Sequence, residues 1–556
     1  MGEADNYINE GQRGNDGGYY QQQPQQQQGN DGGYYQQQQQ QPNYNNGNYQ
    51  QPPMNYQQQP PAPPPQYQQS YPPPNGNGYT SAQGVDGEKY SFDQTFNVPK
   101  PKYNDLWAGI LFILFFLGFV AVSAISIRGY ATHFSFSGGG IYDGGNDFSL
   151  NTNTLVLFVF CLVVALVLSY GYVWLARLFP TQFIWATGIL NIIMAFGTAI
   201  FYLYKKYYSA GIVFLIFAVF TAFCFYTWIS RIPFSAFMLK TAIDVSKKFG
   251  HVYLVSFIGG LIATAVGAWF SVTLVAIYVT YQPSDNSPSC TDGGCSQAKV
   301  IGLIAFVTFT MYWFSEWLKN TVHTIIAGVY ASWYFCVHNF PQDATRGSTK
   351  RALTYSFGSI SLGSLLVAIV QFLRQLCSIA RQQERADGSL LGTAIFCCLG
   401  CLLSLLEWAV EFLNRYAFCH IALYGKAYFP AAKDTWKMIK DRGIDALVNE
   451  CLIGPVLSFG ALFIGYTCAL LAYLYLLFTD PAYNSDGAFT PVVLAFSFLI
   501  GFQIANVFTT PLSSGIDTIF VAAGWDPQVM ARDHPEIYRE MVRVYPKVQQ
   551  VIHDRR

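Results

Sequence analysis

The stretch IGLIAFVTFTMYWFSEWLKNTVH, residues 301–323, decides the fold. It is long and apolar enough to cross a hydrocarbon layer of about 30 Å, which takes roughly 20 residues of α-helix. Yet Glu316, Lys319, Asn320 and His323 stand in it at i, i+3, i+4 and i+7, on one helical face. Ionisable groups are costly against lipid, so such a face turns toward a bundle interior or a water-filled path. One helix cannot shelter this face alone.

The rest of the chain supplies the shelter. Hydrophobic residues make up 51% of the sequence and charged residues 12%. Mean hydropathy is +0.22 despite a long polar tail. A soluble protein of this length needs far more charge on its surface. Spans of about 20 apolar residues read roughly at 106–127, 154–176, 183–203, 211–229, 253–279, 301–320, 355–376, 392–413, 453–478 and 492–508. The sixth is expected to continue as helix to about Val337. The fold class is therefore an all-α polytopic membrane protein of about ten transmembrane helices, with a transporter domain over 106–508 and a cytoplasmic C-terminal tail over 509–556.

Three more polar stripes accompany the first. Glu407, Glu411, Asn414 and Arg415 share a face of the eighth span. Ser364, Ala368, Gln371 and Gln375 run along the seventh, and Gln503, Asn506 and Thr510 along the tenth. Four such faces can line one shared path. The bland alternative is neutralisation within each helix, Glu316 by Lys319 and Glu411 by Arg415, with Arg415 snorkelling to the surface. Glu407 is left over, with no local cation. Two carboxylates at i and i+4 favour one protonated partner, which makes Glu407 the prime candidate for cation attraction or proton coupling.

Aromatic residues form 17% of the chain, many inside spans. Trp313 precedes Glu316 by one turn and Trp408 adjoins Glu407, an arrangement open to a cation–π cage or to an ordinary interfacial belt. Cys290 and Cys295 flank Thr-Asp-Gly-Gly in a loop assigned outside, where an oxidising environment favours a small disulfide. Cys397, Cys398 and Cys401 read as packing thiols, or as palmitoylation sites if cytoplasmic. Gly259, Ala263 and Gly267 form a small-residue packing face, and Gly454-Pro455 is placed to kink the ninth helix. Segments 232–249 and 426–447 mix apolar and basic positions and are expected to lie along the inner leaflet.

Residues 1–88 are Gln, Asn, Tyr, Pro and Gly, with NDGGYYQQQ repeated from Asn15 and Asn30. Such a tract cannot bury enough apolar surface to fold, so a disordered cytoplasmic tail is expected. Residues 89–105 form a juxtamembrane lead. A cytoplasmic N-terminus puts Lys240, Lys247, Lys248, Lys350, Arg351 and Lys433 on the inside, as the positive-inside rule requires. Arg374, Arg381 and Arg385 break the pattern, and a miscounted span would fall near 374–391. Soluble-enzyme motifs are missing: there is no G-x-x-x-x-G-K-[ST], H-E-x-x-H or G-x-S-x-G. The sequence therefore assigns no catalytic residue, metal site, cofactor or nucleic-acid partner. It excludes ATP-driven pumping by this polypeptide alone.

The residues also resemble a known group. EWLKNTVH (316–323) followed by AGVYASWYF (327–335), then GSLLVAIVQFLR (363–374), FLNRYAFCHIALYGKAY (412–428) and SGIDTIF (514–520), are similar in order and spacing to the choline transporter-like family. The Gln/Tyr-rich tail and the short first external loop look like its fungal "pH nine sensitive" branch. The resemblance implies ten spans in the plasma membrane, both termini cytoplasmic, and facilitated movement of choline or a related amine, in some members with proton exchange. The expected partners are the bilayer, a small organic cation and protons. Pathway candidates, read from the residues themselves, are Trp313, Glu316, Asn320, His323, Gln371, Glu407, Glu411, Asn414 and Gln503. The alternative is a membrane organiser or sensor with structural polar stripes and a partner-recruiting tail.

Overall fold

The computed structural model describes residues 102–133, 152–204, 206–281, 283, 296–338, 340–442, 453–479, 490–544 and 546. Residues 1–88, most of the lead 89–105, and both Cys290 and Cys295 lie outside that set.

Among the described residues every regular element is helical, and ten helices are long and apolar enough to cross a membrane. In lipid a spanning segment must satisfy its own backbone, which long apolar helices do. The first four are α1 (Leu106–His133), α2 (Thr152–Leu178), α3 (Pro180–Tyr204) and α4 (Tyr208–Trp228). A buried helix α5 (Ile232–Lys248) leads into α6 (His251–Tyr281) and the long α7 (Gln297–Phe335). A short α8 (Ala344–Leu353) precedes the hairpin of α9 (Phe357–Ala386) and α10 (Leu390–Tyr424). Then come α11 (Tyr428–Arg442), α12 (Ile453–Thr479) and α13 (Thr490–Trp525). Two short helices close the chain, α14 (Pro527–Asp533) and α15 (Pro535–Val544).

The helix α7 is the hub. It packs against α6, α9, α10 and α13, while α3 and α4 pair with each other at the periphery. Around the second half of α7, Tyr330 and Tyr334 are fully buried. Tyr330 donates its hydroxyl to the Ala242 carbonyl at 2.9 Å and Tyr334 donates to the Asp526 carbonyl at 2.9 Å. Buried phenols need such partners, and these two tie α5 and the α13–α14 junction to α7.

Several expectations are corrected here. The tenth span does not stop at Phe508: α13 runs to Trp525 with Pro511 inside it. The segment expected along the inner leaflet, α5, has a covered face along Phe234, Met238, Leu239 and Ile243. The extended α13 and the returning α15 both pack against it, with Phe234 stacked on Phe520 at 6.2 Å. Gly454 and Pro455 stand in the first turn of α12, where proline removes no helical hydrogen bond, so they do not kink it. Cys397, Cys398 and Cys401 are exposed, not packed. Of the small-residue face, Gly259 meets Val322 of α7, whereas Gly267 has open space around it.

At the end where the chain enters, the lead clasps the bundle. Asp105 holds a positive φ of 52°, tolerable for Asp but uncommon. Its carboxylate accepts from the Ser359 hydroxyl at 2.6 Å and from the Tyr428 backbone N–H at 2.8 Å. Asn104 donates its amide to the Gly425 carbonyl at 2.9 Å. One carboxylate thus sits at the N-termini of α1, α9 and α11, where helix dipoles favour an anion. Gly358 makes the approach possible, since a Cβ there would lie 2.3 Å from the Asp105 carbonyl oxygen. Gly358→Ala is expected to lower stability by about 2 kcal/mol, as overpacking against backbone does. A thermal unfolding midpoint of the purified protein in detergent equal to that of the wild type would refute the clasp.

Candidate functional site

Four helices converge on a cavity of about 190 Å³. From α7 it takes Glu316, Lys319, Asn320 and His323, and from α10 Glu411, Asn414 and Arg415. From α13 it takes Thr510, Ser513, Ser514 and Asp517. The α9 wall is Val367, backed by polar neighbours: Ser364 accepts from the Asn320 amide at 2.9 Å.

Lys319 is the centre of charge. Its ammonium lies 2.9 Å from Glu316 Oε1 and 3.0 Å from Glu411 Oε1, joining α7 to α10. The pairing expected within one helix therefore forms for Glu316 but not for Glu411. Arg415 instead faces Asp517 of α13 at 3.8 Å. Glu407 has its cation after all, in Arg374 of α9 at 3.0 Å, a partner that local spacing could not reveal.

The polar groups fix one another. Gln371 donates to Glu316 Oε1 at 3.1 Å. Asn414 donates to the Gly363 carbonyl at 2.9 Å and accepts from the Tyr428 hydroxyl. His323 Nε2 lies 2.9 Å from the Arg415 carbonyl, which can only accept, so Nε2 carries the proton. The Ser514 hydroxyl lies 2.9 Å from Nδ1, donating to it when the ring is neutral and accepting from it when the ring is protonated. In its neutral form His323 is thereby fixed as the Nε2–H tautomer.

Two features bear on chemistry. Three carboxylates, Glu316, Glu411 and Asp517, line the cavity against two fixed cations, Lys319 and Arg415. With His323 in its neutral form, the formal charges of the lining leave one negative charge in excess. Moreover, Glu316 is only 6% exposed and its Oε2 has no hydrogen-bond partner among the described residues. A buried carboxylate oxygen without a donor is costly, so this atom is set to receive a cation, a proton or a donor from outside the protein.

A second cavity of about 480 Å³ lies farther along the same helices, toward the α9–α10 turn. Gln371, Arg374, Arg381, Cys397, Cys401 and Ser404 are among its walls. Two of its lining residues reach further: Gln371 donates to Glu316 of the central cavity, and Arg374 pairs with Glu407.

Of the sequence candidates, Glu316, Asn320, His323, Glu411 and Asn414 meet in the central cavity. Gln371 lines the second cavity, and Glu407 pairs with Arg374 of that cavity's wall. Gln503 does not line the cavity and packs beside Gly260 of α6. Trp313 is fully buried, donating to the Ser361 carbonyl at 2.9 Å and packed edge-on to Phe112 at 5.3 Å. Trp408 is 62% exposed on the bundle's outside. The residues lining the cavity include no Phe, Tyr or Trp, so no aromatic cage surrounds it. Ser513, Ser514 and Asp517 escaped the sequence reading. Thr510, Ser514 and Asp517 continue the same helical stripe, a signal cut off by ending the span at Phe508. Among the described residues no cluster suits a metal ion.

Lys319→Met should destabilise the protein by about 2 kcal/mol, between values for exposed and buried pairs, because it strands two facing carboxylates. Adding Glu411→Gln should recover most of that loss in thermal melts. Two single losses that merely add would show that Lys319 does not couple the helices.

The comparisons agree with this architecture. Residues 212–528 match the family described as "Plasma-membrane choline transporter". The chain is 76% identical over 482 residues to Protein PNS1 of Gibberella zeae, covering 86% of this chain and 90% of that one. Identity is 60% with the Aspergillus fumigatus protein pns1, over 83% of this chain and 87% of the relative. It is 42% with Protein PNS1 of Saccharomyces cerevisiae, over 82% and 87%. A membrane-embedded bundle with a polar, charge-lined interior and relatives of this closeness lead to one assignment: the chain belongs to the choline transporter-like family, in its fungal PNS branch.

Proposed function

We propose that the cavity bounded by α7, α10 and α13 binds a small organic cation, a choline-like amine, and that the protein moves it across the membrane by alternating access without ATP. The observation that carries this reading is the orphan oxygen Glu316 Oε2 in a cavity with one carboxylate in excess. A monovalent cation bound there removes both anomalies at once. Without an aromatic cage, recognition rests on charge and on the hydroxyls of Thr510, Ser513 and Ser514.

A proton on Glu316 balances the same charge as the amine. Exchange of one for the other at a single carboxylate couples amine movement to a proton gradient. Substrate passes between the two cavities only when Gln371 leaves Glu316 and Arg374 leaves Glu407, so these pairs form the gate. In this reading the membrane is the plasma membrane, both termini are cytoplasmic, and the outer cavity opens outside. The loop that carries Cys290 and Cys295 then faces an oxidising space, consistent with a disulfide there.

Liposomes holding the purified protein are expected to accumulate labelled choline or ethanolamine, with an imposed proton gradient changing the rate. Glu316→Gln should reduce uptake at least tenfold, as loss of a buried charge partner does. Glu407→Gln should slow exchange with a smaller effect on substrate affinity. A panel of amines with no flux above protein-free liposomes would overturn the proposal.

A further inference from the structure

The helix α11 has two faces with different fates. Tyr428, Ala431, Thr435 and Met438, at i, i+3, i+7 and i+10, are buried against the bundle. The opposite stripe carries Phe429 and Trp436, each 61% exposed, and the exposed lysines Lys433, Lys437 and Lys440. Among the described residues none of these lysines makes an ion pair. The neighbouring acid Asp434 is already taken by Lys426 at 2.7 Å. Two large aromatic rings beside three unpaired lysines fit the boundary between acyl chains and anionic headgroups. The chain holds α11 at that boundary, because it connects the end of the span α10 to the start of the span α12.

The first residue of α11 reaches the functional site. Tyr428 donates its hydroxyl to Asn414, which lines the central cavity, and its ring lies against α9 where Gly363 leaves room: a Cβ there would be 2.5 Å from the ring. Burial pushes the Tyr428 phenol up to about 12, so the group remains a donor at physiological pH. Its backbone N–H is held by Asp105 at 2.8 Å.

We infer that the outer stripe of α11 is a docking surface for anionic phospholipid, and that Tyr428 transmits its engagement to the cavity through Asn414. The cavity end of this inference rests on the transport reading; the lipid end does not. Three lysines near an anionic surface correspond to a preference over neutral lipid on the order of 100-fold, weakened by salt.

Hydrogen exchange on the full-length protein in nanodiscs tests both ends without any flux measurement. In phosphatidylcholine discs containing phosphatidylserine, peptides covering 428–442 should exchange more slowly than in pure phosphatidylcholine discs, and salt should erase the difference. The triple variant Lys433→Gln, Lys437→Gln, Lys440→Gln should lose the difference while the remaining helices exchange as before. Equal exchange in both discs, or a difference that survives in the triple variant, overturns the docking surface. So does protection by a soluble acidic peptide but not by phosphatidylserine. Peptides spanning 410–418 should also respond to phosphatidylserine in the wild type and cease to respond in Tyr428→Phe. A response that persists in Tyr428→Phe overturns the transmission.

Discussion

The ion pairing of Lys319 is the constraint on which the rest depends. Glu316 and Glu411 come from different helices, and neither carboxylate belongs in a membrane interior uncompensated. One ammonium between them, at 2.9 and 3.0 Å, neutralises part of each and sets the separation of α7 and α10. With those helices fixed, Asn320 meets Ser364, Gln371 meets Glu316, and Asn414 meets the α9 backbone. The cavity is the space these bonds leave. Its unbalanced charge follows because the two cations available cannot satisfy three acids.

The fold was legible because long apolar runs have few alternatives in lipid, and the stripes were legible because helical periodicity is regular. Glu316, Asn320, His323, Glu411 and Asn414 were placed together on that basis, and the cavity gathers them. What escaped was whatever depended on a second helix. Glu407 has no cation in its own span because Arg374 arrives from α9. Trp313 stands one turn from Glu316, yet its indole is spent on the Ser361 carbonyl. Asp517 was hidden by a boundary set where hydropathy weakens, although the helix continues through Pro511. For the same reason the amphipathic pattern of α5 tells that it has a covered face, not which element covers it.

The entry end of the bundle shows an economy of charge. Asp105 serves three helix beginnings at once, and it does so because α9 offers a glycine and a serine side by side, Gly358 and Ser359. The described end of the lead, residues 102–105, is thus part of the bundle's closure.

Pro511 gives α13 a mechanical property of its own. Proline cannot donate a backbone hydrogen bond, so the carbonyl of Val507 has no helical partner at i+4 and the rod is weakest there. On one side of that joint α13 presents Gln503, Asn506 and the cavity-lining Thr510; on the other come Ser513, Ser514 and Asp517, which also face the cavity. The helix is therefore two levers in series, not one beam. The part after Pro511 is bonded to His323 and Arg415, while the part before it packs on α12, Phe498 against Gly465 and Gly501 against Cys468.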